Sequence, residues 1–81
     1  MEHKTPSLKI FNEIKNTAIN IWKDNYSDEF GYVTEKLDII NSLSNYKDNV
    51  MICYRMFDST NQYKMRNIIS QEALEYIKND N

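Results

Sequence analysis

The run Val50-Met51-Ile52-Cys53-Tyr54-Arg55-Met56-Phe57 decides the fold. It is apolar at nearly every position, so it carries neither the alternation of a half-buried strand nor the stripe of an amphipathic helix. Two architectures are possible. As a strand it turns at Asp58-Ser59-Thr60-Asn61 and pairs with residues 62–69, giving an α+β domain of two helices, a β-hairpin over 50–69 and a C-terminal helix. As a helix it is followed by a second helix over 59–69, capped by Asp58, with Met65, Ile68 and Ile69 on one face. The turn contains no glycine, and the tightest hairpin turns nearly require one. The helical branch is favoured, and the expected fold is a compact all-α domain of four or five helices.

The flanks of this region are easier to read. Ser70 caps a last helix, Glu72 lies in its first turn, and Ala73, Leu74, Tyr76 and Ile77 form its buried side. On the other flank, residues 45–49 interrupt the pattern, and Asp48 is placed to cap the segment that begins at Val50. Before them residues 34–46 read as a helix, with Thr34 at its N-cap, Val33 as a staple and Leu37, Ile40 and Leu43 as its core stripe. Residues 24–31 form a loop holding the only glycine, Gly31, which permits a left-handed turn. Phe30 and Tyr32 flank it and are expected to tuck inward.

The helix over residues 6–24 organises the rest, because its helical reading has no rival. Thr5 and Pro6 read as N-cap and first helical position. Leu8, Ile10, Phe11, Ile14, Ala18, Ile19, Ile21 and Trp22 cover about half of the helical wheel. Trp22 closes that arc and is expected to cover the junction with Phe30. Residues 1–5 and 79–81 are expected to fray.

At 81 residues the chain is a single small domain, spanning residues 1–81. With 41% hydrophobic and 27% charged residues, one glycine and one proline, it is neither disordered nor fibrous. The net charge of −2 argues against a general nucleic-acid binder. No apolar run approaches the length of a membrane span or a signal peptide, and the single cysteine, Cys53, fits a reducing compartment. A cytoplasmic protein with no membrane partner is expected.

Candidate chemistry is sparse. A nucleophilic Cys53 needs a histidine, and the only one is His3 near the chain start. One Cys and one His do not complete a zinc site, and Tyr26 stands where a calcium loop over residues 24–29 needs an oxygen ligand. The carboxylate pairs Asp28/Glu29, Glu35/Asp38 and Glu72/Glu75 read as solvated faces. No catalytic residue, cofactor, metal or small-molecule substrate is therefore expected, and the chain reads as a non-enzyme.

Two binding readings remain. The aromatics Tyr26, Phe30, Tyr32, Tyr46 and Tyr63 exceed what so small a core can take, so some are expected at a protein interface, either a homodimer or a complex with a partner. This points to a small protein-binding regulator or inhibitor. The heavy use of Asn, Ile, Lys and Tyr fits an AT-rich genome, and the size suggests phage or mobile-element origin. The alternative is a nucleic-acid-binding regulator whose segment 54–66 sets Arg55, Lys64 and Arg66 among aromatic rings.

Overall fold

Helix α1 (Leu8–Asn25) runs for 18 residues, and four further helices pack against it. The computed structural model describes residues 5–79; the expected fraying of residues 1–4 and 80–81, and the site of His3, lie outside them. The four are α2 (Tyr32–Ser42), α3 (Ile52–Arg55), α4 (Ser59–Ile68) and α5 (Gln71–Lys78). Single 3-10 turns cover Glu29–Gly31, Leu43–Asn45 and Lys47–Asn49. No strand occurs among the described residues, so the hairpin alternative over 50–69 is excluded and the fold is all-α.

The caps show why the helices stop where they do. Asp58 accepts from the Asn61 N–H at 2.9 Å to start α4, and Ser70 Oγ accepts from the Ala73 N–H at 3.3 Å to start α5, both as the sequence indicates. Three caps differ. Ser7, rather than Thr5, begins α1 by accepting from the Ile10 N–H at 3.2 Å, while Pro6 is buried just outside the helix. Gly31, rather than Thr34, occupies the N-cap of α2, because its left-handed backbone lets the helix begin earlier. Asp48 makes no capping bond to α3; it lies inside the preceding 3-10 turn.

Trp22, Phe11, Ile14, Ile40, Met51 and Met65 are the large side chains fully withdrawn from solvent. Each contributes roughly 1.5–3 kcal/mol on burial. Leu8 and Ile68, both expected in the core, are outside it, as is Phe30. Leu8 is exposed at the first turn of α1, and Ile68 is exposed at the end of α4, where Met65 and Ile69 supply the buried side instead. The Cα radius of gyration is 12.1 Å. A folded chain of this length should give about 11.7 Å, so the fold is well collapsed.

Ring contacts fix the direction of the chain along α1. Tyr32 meets Trp22 near the C-terminal end of α1, whereas the Lys47 ammonium lies 5.7 Å from the Phe11 ring centre near the other end. The α2 segment therefore runs back along α1. So does α4: Lys64 Nζ donates to Asn25 Oδ1 at 2.8 Å, and the Ser70 just beyond it reaches Glu13. One end of the bundle thus gathers residues 22–34 and 57–61.

Candidate functional site

At that end, Trp22 is the centre of an aromatic cluster. Its ring centre lies 4.2 Å from that of Tyr26, 5.0 Å from Phe57 and 5.5 Å from Tyr32. Tyr26 is half-buried, and its hydroxyl accepts from Asn61 Nδ2 at 2.8 Å. Burial pushes the Tyr26 phenol above its ordinary value, with the Asn61 hydrogen bond working against that rise. This bond ties the start of α4 to the end of α1.

Phe30 is missing from the cluster. The sequence places it inward beneath Trp22, but its relative exposure is 105%, so its ring touches solvent on every side. The backbone gives the reason. Phe30 has φ 58° and ψ 23°, and Gly31 comes next at φ 73° and ψ 20°. The turn into α2 needs two successive left-handed residues, and the chain supplies one glycine. Phe30 occupies the other position, where an L side chain costs about 1–2 kcal/mol, and this geometry turns the ring away from the core.

A clasp spans the strained pair. Asp28 Oδ1 accepts from the Thr34 N–H and Oδ2 accepts from the Thr34 hydroxyl, each at 2.9 Å. These two bonds hold the Asp28 carboxyl below its usual range. The Gly31 N–H also donates to the Asp28 carbonyl at 3.1 Å. The backbone that carries Phe30 is therefore held, since the loop around it is bonded on both sides.

The five aromatic candidates do not form one surface. Tyr26 and Tyr32 lie together on Trp22, their ring centres 6.4 Å apart, and Phe30 projects from the loop between them. Tyr32 retains 40% exposure, and the Lys36 ammonium lies 5.1 Å from its ring centre. Tyr46 is exposed beside Lys47, at the Phe11 end of the bundle. The eleven residue steps from Phe11 to Trp22 separate these ends by roughly 16 Å along α1. Tyr63 is exposed on α4, with the Arg66 guanidinium 5.9 Å from its ring centre.

The basic candidates diverge as well. Lys64 and Arg66 leave α4 about 200° apart. Lys64 turns to Asn25 of α1, while Arg66 donates to the Tyr54 hydroxyl on the α3 side. Arg55 is exposed at the end of α3. Beside Lys64, a shallow cleft of about 190 Å³ separates α1 from α4, lined by Thr17, Ile21, Asp24 and Asn25 on one side and by Lys64 and Ile68 on the other.

Burial pushes the Cys53 thiol up to about 12, which suits a packing residue. Among the described residues no three His, Cys, Asp or Glu side chains come together as a metal site. Of the carboxylate pairs, Asp28 holds Thr34, Glu72 pairs with Lys9 at 3.7 Å, and Glu75 accepts from Gln71 at 3.4 Å. No described helix is long and apolar enough to cross a membrane.

Sequence reasoning missed Asp28, Thr34 and Asn61 as the residues that position the site. Asp28 and Thr34 lie six apart across a glycine, a spacing that signals a clasp only once the left-handed turn is known. Comparison with family models, with curated proteins and with solved structures gave no match to this chain.

Proposed function

We propose that this chain is a non-enzymatic, cytoplasmic protein-binding module that docks through the Phe30 end of the bundle. The observation that supports this is Phe30 itself: a fully exposed aromatic ring on a left-handed backbone, held in place by the Asp28–Thr34 clasp. A ring that contributes no burial, on a backbone position that costs stability, gives the isolated fold nothing. Buried in a partner's pocket, the same ring is a preorganised anchor. Its loop is already ordered, so binding costs the rotamer freedom of the ring and little backbone entropy. Tyr32 widens the contact, and the Trp22 cluster beneath provides a rigid base. The single cysteine, Cys53, is buried, which fits a reducing compartment.

The reading is tested by comparing the wild-type chain with Phe30→Ala and Tyr46→Ala as baits in extract from the source cells. A partner retained by wild type and Tyr46→Ala but lost with Phe30→Ala supports it. Equal retention by all three, or no retained protein, contradicts it.

A further inference from the structure

Given that Phe30 is a docking anchor, a reading on which this inference rests, the charge around it specifies the partner. We infer that Phe30 inserts into an apolar pocket on a folded protein whose rim carries lysine or arginine. Residues 24–35 contain Asp24, Asp28, Glu29 and Glu35 and no cation, and Lys23 and Lys36 lie immediately outside. Segment 23–36 therefore carries a charge of −2, equal to that of the whole chain, and the remaining residues balance at eight acids and eight bases. The excess negative charge of the molecule is concentrated in the segment that presents Phe30.

The carboxylates are placed to act at an interface. Glu29 adjoins Phe30 and is exposed, and Glu35 is exposed one helical turn after Tyr32, on the same face of α2. Asp28 is held in its ionised form by Thr34. Two cations at this end have neighbours of their own: the Lys36 ammonium lies over the Tyr32 ring, and Lys64 donates to Asn25 Oδ1. Nucleic acids and anionic lipid surfaces would bring phosphates against this rim and be repelled. A cationic rim around an apolar pocket would be steered toward it and held in register by the same charges.

A yeast-displayed helical scaffold with one randomised face, encoding acidic and basic residues equally, provides the probe. The library is selected on the full chain and depleted on Phe30→Ala, whose folding is verified by its circular dichroism and melting curve. Surviving clones should show an excess of Lys and Arg around an apolar centre. Their affinity should fall about tenfold from low to high salt, and Glu29→Lys with Glu35→Lys should weaken them. Phe30-dependent clones without basic enrichment overturn the charge inference and leave Phe30 as an anchor. Failure to recover any Phe30-dependent clone overturns both. Phe30-dependent self-association in sedimentation, or binding to anionic phosphatidylserine vesicles, also overturns the inference.

Discussion

Asp28 grips Thr34 with both carboxylate oxygens, and the two left-handed residues Phe30 and Gly31 lie inside the ring this closes. The clasp does for this loop what a second glycine would do: it keeps the chain in a turn that one of its residues resists. Removing the resistance has a calculable effect. Phe30→Gly relieves about 1–2 kcal/mol of left-handed strain, against about 0.5–1 kcal/mol of added unfolded-state entropy. A net gain of about 0.5–1 kcal/mol is expected in urea unfolding, together with loss of binding. A loss of stability greater than about 1 kcal/mol would mean that the ring packs in the folded state.

The clasp also titrates. Because the Asp28 carboxyl lies below its ordinary value of 3.8 in the folded protein, its contribution is complete above that value. It fades as pH falls through the lower folded value. The melting-temperature difference between wild type and Asp28→Ala should be constant from neutral pH down to about 4 and narrow below that. A difference that instead widened on acidification would contradict the assignment.

Another carboxylate holds a backbone N–H and a hydroxyl at the opposite end of the bundle. Glu13 of α1 accepts from the Ser70 N–H at 2.6 Å and from the Ser70 hydroxyl at 2.7 Å, while Ser70 caps α5. Hydrogen bonds to a charged group contribute about 1.5–3 kcal/mol, and Glu13 is half-buried, so Glu13→Ala should cost about 2–3 kcal/mol. Amide exchange should accelerate most in α5. Uniform acceleration across all helices would contradict a local cap.

Trp22 is fully buried, yet its indole N–H has no partner among the described residues. Trp22→Ala should cost about 3–5 kcal/mol, a large share of the roughly 5–10 kcal/mol available to a domain of this size. Trp22→Phe keeps an aromatic ring against Tyr26 and Phe57 and removes the unsatisfied donor, so it should cost less than half as much by circular dichroism. Equal losses would mean that the N–H is satisfied in the folded protein.

The sequence made most of the helical scaffold legible because the determinants are local. Asp58 and Ser70 announce α4 and α5 three residues ahead of the N–H groups they cap, and the apolar arc of α1 reads directly from its spacing. The absence of glycine from the turn at 58–61 correctly favoured helix over hairpin. What escaped the sequence was non-local or conformational. Glu13 holds the cap residue of a helix 57 residues away, which no pattern reveals. Phe30 has the composition of a core residue; only the need for two left-handed positions beside a single glycine sends it outward. The five candidate aromatics are equivalent in sequence and separate only when α2 runs back along α1, leaving Tyr46 at the far end.

The central claim, that Phe30 is the docking anchor, is tested most directly by photo-cross-linking. p-Benzoylphenylalanine is placed at position 30 in one protein and at position 46 in another, and each is irradiated in extract from the source cells. Position 30 should give one dominant protein adduct that excess wild-type chain suppresses and excess Phe30→Ala does not, while position 46 gives none. An adduct from position 46 alone, or suppression by Phe30→Ala as effective as by wild type, would contradict it.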